Sequence, residues 1–386
     1  MKTKKLFGIM VLTVILAMFT VLSLTGCGDN DSTNGEKSSD TSDVDTSNVD
    51  TPGGSSWKVE QNGYTGKWGL DVIAFGSGKF VTYFGEGNSD IKMSTSTDGI
   101  TWTAGTDSAL NDLVKVIAYG NGIFVAGGTK NSMSYSSDGK KWTAVKSVPT
   151  GDSNATIKAI AYGNGRFVAG GSTDGSKVIY STDGITWTAT DAYALGNTLG
   201  LPNDIGKRNG VYAIAYGGGN FVAIGKNNIA YSTDGITWIN KTTSSLGLGS
   251  ISISAIAYGS GVFVAVGGVT TKKTDIVYSS DGGITWTAVT DTTAFDYPYN
   301  GGTSNAIINA IAYGNGKFVV GGAKGKLATS PDGITWTALP DNTFGIPDDS
   351  SIGSIAYGNG KFVVAGTDYA LLVELESGKI ICLPGN

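Results

Sequence analysis

Six aspartates recur in one phrase and are the first candidates for chemistry. The phrase reads Ser-Thr-Asp-Gly-Ile-Thr-Trp at 181–187, and its aspartates are Asp98, Asp138, Asp183, Asp234, Asp281 and Asp332. Carboxylates can ligate calcium or act as general acids. A catalytic group is needed once, however, and this one returns with every copy of the phrase. A short Asp side chain can accept backbone N–H groups from the next residues of its own turn. The following Gly supplies a conformation that a Cβ resists. The closing tryptophans are Trp102, Trp142, Trp187, Trp238, Trp286 and Trp336. Burying one such ring stabilises by roughly 4–6 kcal/mol as an upper bound. The phrase therefore predicts a structural turn, with no metal and no catalytic residue assigned.

A second set of candidates lies in the irregular stretches between repeats. It comprises Tyr193, Asp204, Lys207 and Arg208, then Asp296, Tyr297 and Tyr299, then Asp341 and Phe344, with Asp348 and Asp349 beside them. Tyr83, Glu86, Lys272 and Lys273 fall in shorter connections. Loops on a rigid scaffold are where binding residues gather. Exposed tyrosines with acids suit sugar or peptide recognition, and two such acids about 5–10 Å apart would suffice for glycoside hydrolysis.

The composition removes other chemistries. Histidine is absent and arginine occurs only as Arg166 and Arg208. No Ser-His-Asp, Cys-His or His-metal arrangement is possible. Stretches such as Gly217-Gly218-Gly219 open no helix and so are not phosphate loops. No cofactor is expected. Outside the N-terminal 56 residues there are 23 bases against 25 acids, with no basic stripe, so nucleic acid is a poor partner. A monomer is expected.

The elements that must position these residues come from a second phrase, Ile-Ala-Tyr-Gly-Asn-Gly-Lys-Phe-Val at 311–319. Its aromatic pairs are Phe75/Phe80, Tyr119/Phe124, Tyr162/Phe167, Tyr216/Phe221, Tyr258/Phe263, Tyr313/Phe318 and Tyr357/Phe362. Asn-Gly between two apolar runs favours a type I′ hairpin. One unit, 158–190, reads as four strands in an antiparallel meander. Its strands are apolar without clean alternation, as in a sheet covered on both faces. Repeats of this period stack radially, each unit burying its faces against its neighbours. Gly makes up 59 of 386 residues, which disfavours long helices. The expected fold is all-β, a seven-bladed β-propeller over 57–386, with the aromatics as packing between blades. The last unit lacks the Asp phrase, and Ser56-Trp57-Lys58-Val59 looks like an orphan outer strand. We expect this N-terminal strand to close the ring; the sequence leaves open whether it replaces or joins 379–383.

The Asp phrase resembles the Asp-box of the bacterial neuraminidase repeat, most fully at 279–286. The other copies are one residue shorter. The resemblance implies a β-propeller but no single activity, because neuraminidases, xyloglucanases, sorting receptors and a photosystem II assembly factor share such turns. A sialidase would need three arginines to clamp its substrate carboxylate, and this chain has two.

At the N-terminus Lys2, Lys4 and Lys5 precede an apolar run from Leu6 to Leu24, ending in Leu24-Thr25-Gly26-Cys27. This is the pattern of an export signal, and the ending resembles the bacterial lipobox. The resemblance implies cleavage after residue 26 and a lipid on Cys27. Residues 27–56 are polar and acidic and should form a flexible tether. The expectation is an extracytoplasmic, lipid-anchored recognition protein at a bacterial membrane or cell surface. It would bind glycan, peptide or an envelope protein through the long-loop face, without enzymatic activity. An envelope assembly factor and a carboxylate glycosidase are the alternatives.

Overall fold

The computed structural model describes the strands Val49–Asp50 and Ser56–Trp57 and residues 72–383, except 87–89, 106–112, 173–176, 194–209, 226–227, 249–250, 269–273, 300–301, 340–350, 367–368 and 375–378. The expected signal, Cys27 and most of the tether lie outside the described residues.

The described strands form four-stranded antiparallel meanders in sequence order. One blade consists of Thr156–Gly163, Arg166–Ser172, Lys177–Ser181 and Thr188–Tyr193, from innermost to outermost. The hairpin between its first two strands has Asn164 at φ 46° and Gly165 at φ 72°. Positive φ at both centres is the type I′ turn that matches strand twist.

Two expectations about the ring are corrected. Six blades follow the repeat, with innermost strands Val72–Gly76, Val114–Gly120, Thr156–Gly163, Val211–Gly217, Ile253–Gly259 and Ile308–Gly314, and each carries the Asp turn. The expected seventh copy is instead a terminal sheet of different make, Ile352–Gly358, Lys361–Gly366, Tyr369–Glu374 and Lys379–Leu383, with neither the Asp turn nor its Trp. Nor, among the described residues, does the N-terminal strand join that sheet, although Ser56–Trp57 lies beside Lys379–Leu383. Lys379–Leu383 already pairs along Tyr369–Glu374, from Ala370 opposite Leu383 to Glu374 opposite Lys379. This apolar run fills the place, and Ser56–Trp57 pairs with Val49–Asp50.

Neighbouring sheets lock at the inner radius through an aromatic ring on a glycine. A Cβ on Gly163 would overlap the Tyr216 ring, and the same holds for Gly76 with Tyr119, Gly120 with Tyr162, Gly217 with Tyr258, Gly259 with Tyr313 and Gly314 with Tyr357. Gly358 of the terminal sheet receives Phe75 of the first blade, which closes the circle. There Ile73 N also donates to Ser354 Oγ at 3.1 Å. Each of these rings tilts against the Phe of its own hairpin, as Tyr162 does on Phe167 at 4.7 Å between centroids and 55°. Phe80, Phe124, Phe167, Phe221, Phe263, Phe318 and Phe362 are fully buried. The core is accordingly a series of clusters, each between two sheets.

Gly163→Ala should lower stability by about 1–3 kcal/mol, because the methyl overpacks the Tyr216 seat. Gly165→Ala, at positive φ in open space, should cost about 1 kcal/mol. Urea denaturation of the two variants checks the order; a neutral Gly163→Ala would remove the ring-on-glycine seat as a constraint.

Candidate functional site at the channel mouth

The Asp turns lie against the hairpins of neighbouring blades. Asp183 Oδ1 accepts from Ile185 N at 2.8 Å, Thr186 N at 2.7 Å and Ser181 Oγ at 2.8 Å. Ser181 Oγ in turn accepts from Gly184 N at 2.8 Å, and Trp187 Nε1 donates to Gly184 O at 3.1 Å. Asp98, Asp138, Asp234 and Asp332 repeat the carboxylate pattern. The longer turn at Asp281 differs by one step: Gly283 N, not Gly282 N, donates to Ser279 Oγ. Trp336 alone of the six has a buried Nε1 with no partner among the described residues; its ring lies 5.9 Å from that of Phe295.

These turns also join blades. The hairpin of one blade donates to the Asp turn of the next: Asn121 Nδ2 to Thr182 O, Asn220 Nδ2 to Gly282 O, and Arg166 Nη1 to Asp234 O. Asn359 of the terminal sheet reaches Thr97 O of the first blade at 2.8 Å. The turn glycines sit on the preceding blade, Gly184 against Val125 and Gly235 against Val168. The carboxylates are thus engaged by their own backbone. Partial burial pushes the Asp183 carboxyl up, but the hydrogen bonds from Thr186, Ile185 and Ser181 outweigh it and hold the group below its usual 3.8. At Asp138 the Lys141 N–H is the largest influence, and it acts downward.

The irregular-loop candidates separate. Asp204, Lys207, Arg208, Asp341 and Phe344 lie outside the described residues, as do Lys272 and Lys273. Tyr193 ends an outer strand opposite Lys177. Tyr299 lies in the hairpin Asp296–Tyr299/Gly302–Asn305 between the fifth and sixth blades. In that hairpin Asn305 Nδ2 donates to Asp296 Oδ1. Tyr297 was expected to be exposed and is not: it is 8% exposed, packed with Phe295 into the core cluster of the sixth blade. Tyr83 is corrected likewise. It belongs to the strand Lys79–Glu86 and is fully buried against the second blade. Both stretches read as loops because their turn residues hide short strands whose aromatics fill gaps between sheets.

A different set of residues converges on the axis. The innermost strands each pair on one side only, and their other edges line a cavity of about 230 Å³. At one end of it five blades and the terminal sheet carry the same irregularity. The register shifts between Val114 and Val116, Ile157 and Ala159, Val211 and Ala213, Ile253 and Ala255, Ile308 and Ala310, and Ile352 and Ser354. Each shift is a β-bulge with one unpaired residue: Lys115, Lys158, Tyr212, Ser254, Asn309 and Gly353. All six line the cavity. Lys115, Lys158 and Ser254 are exposed. Lys158 Nζ stands 5.3 Å from the Tyr212 ring centroid. Asn309 Nδ2 donates to Ser351 Oγ at 2.9 Å and Ile352 O at 3.1 Å. Bulges re-aim side chains beside sites. This mouth is at the strand end opposite the Asp turns. None of these six is among the loop candidates named from the sequence, although the sequence carries a signal: the residue before the repeated apolar phrase changes from blade to blade while its neighbours recur.

No family model matches the chain, and no curated protein does. Solved structures do. YCF48 from Cyanidioschyzon merolae is 17% identical at TM-score 0.56, over 82% of this chain and 98% of that one. A streptogramin B lyase is 14% identical at TM-score 0.56, over 80% and 95%. The virginiamycin B lyase of Staphylococcus aureus, as a catalytically inactive histidine-to-alanine variant with quinupristin, is 14% identical at TM-score 0.58, over 82% and 99%. The chain is a β-propeller. At these identities the likeness shows the fold alone. It also corrects the expectation of a protein without enzymatic activity, since the same architecture serves lyases and does not set catalysis aside.

Asp183→Ala should cost about 0.5–2 kcal/mol, as for other lost caps of backbone donors, read from urea midpoints. The turn aspartates have folded pKa values below 3.8, so they contribute stability that is complete above the unfolded value and lost as pH falls through the folded ones. Melting temperature should hold from neutral pH to about pH 4 and then fall, less steeply in Asp183→Asn. A drop beginning well above that range would contradict this assignment.

Proposed function

We propose that this protein is a recognition module of the bacterial envelope, exported and held by a lipid on Cys27, that takes a partner at the channel mouth. One observation carries the reading. Six bulges place two lysines, a tyrosine, a serine, an asparagine and a glycine at one opening, while the rest of the repeat is kept nearly constant. A scaffold needs no variation there, whereas a binding surface does. The bulged residues stand outside the hydrogen-bond ladder, and Lys115, Lys158 and Ser254 among them are exposed to a ligand. The opposite end offers less. Its Asp carboxylates are engaged through Oδ1 by their own turns, and its tyrosines are covered by glycine on one side and phenylalanine near the other. Asp-box membership fits those turns as architecture and assigns them no ligand.

Ser254→Trp should block the mouth, while Lys140→Trp, on an Asp turn, should not. Binding of each variant to peptide and glycan arrays tests the assignment, with melting temperature as the folding control. Loss of binding in Ser254→Trp alone is expected. Loss in Lys140→Trp alone would move the site to the other end.

A further inference from the structure

We infer that the ligand of this mouth is an acidic peptide, whose carboxylate is taken between Lys115 and Lys158. This rests on the channel-mouth reading above and names its partner. Among the described residues that line the cavity, the charge is one-sided. The two lysines occupy adjacent blades, the second and third, and the remaining bulged residues, Tyr212, Ser254, Asn309 and Gly353, are uncharged. Among the described residues neither ammonium is matched by a carboxylate. The whole chain has a formal charge of −5, so this cationic arc runs against the protein's own balance. Lys158 is steadied by its contact with the Tyr212 ring.

Exposed ion pairs add only modestly to affinity, so the lysines select a ligand without holding it alone. The wall of the cavity supplies the rest. It consists of unpaired strand edges, which present alternating N–H and C=O groups to the axis. An extended peptide carries the complementary groups at the same rise of about 3.3 Å per residue. Leu113, 48% exposed and two residues before Lys115, offers an apolar contact to a neighbouring side chain. A sugar chain would need an open aromatic face to stack on. Among the described residues lining the cavity Tyr212 is the aromatic, and Lys158 lies over its ring. The aromatics of the innermost strands are seated on glycines.

The test uses the full chain in detergent micelles and fluorescence anisotropy. The probes are two pools of labelled random peptides about ten residues long, one rich in Glu and Asp, the other with Gln and Asn in their place, and an oligogalacturonate. The acidic pool should bind at least about tenfold more tightly than the neutral pool, and more weakly as NaCl rises. Lys115→Gln/Lys158→Gln should remove that preference while leaving the melting temperature unchanged. Equal binding of the two pools, an unaltered preference in the double variant, or tighter binding of oligogalacturonate would each overturn the inference. If Ser254→Trp blocks binding and the lysine pair does not matter, the mouth stands and the acidic peptide falls. If Ser254→Trp leaves acidic-peptide binding intact, the mouth itself is wrong.

Discussion

A four-stranded sheet of this composition cannot stand alone, because both of its faces are apolar. Everything else in the molecule follows from how each sheet covers the next. The cover is made at two radii. Near the axis a tyrosine ring lies on a glycine that has no room for a Cβ, as Tyr216 does on Gly163. Further out, an Asp turn brings its own glycine down on a valine of the preceding blade, as Gly235 does on Val168. Both contacts need glycine for space, and the turn glycines need it for backbone conformation as well. The high glycine content is therefore a packing requirement.

The Asp turn shows how one residue can satisfy several demands. Asp183 caps two N–H groups of its turn, which lets the Gly184 carbonyl receive the Trp187 indole. The same turns offer carbonyls at Thr182 and Asp234 to the hairpins of the preceding blades. Local capping and the joining of blades are then the same structure seen at two scales. The terminal sheet lacks this device and instead relies on the inner seat, Phe75 on Gly358, and on Asn359 bonding to the first blade.

Much of this was legible in the sequence, and the reasons are specific. Asn164-Gly165 announced its turn because few residue pairs tolerate positive φ twice. The Tyr and Phe spacing announced inter-sheet packing because it returned unchanged. The share of Trp57 and of the run Lys379–Leu383 in ring closure stayed open because both read as outer strands when only pattern is considered; the latter pairs along a full strand, and Ser56–Trp57 pairs with Val49–Asp50 instead. The site was harder. Tyr83 and Tyr297 look like loop aromatics, yet tertiary packing buries them. The bulges at Lys115 and Lys158 leave no mark on hydrophobic periodicity, since one extra residue in a strand is visible only from its partner.

The bulges have an evolutionary corollary. A residue excluded from the ladder contributes little to folding, so its exchange is close to neutral for stability. Six such positions at one opening amount to a set of independently replaceable letters on a fixed frame. Duplicated genes of this kind could drift in ligand preference one letter at a time, without any intermediate that fails to fold.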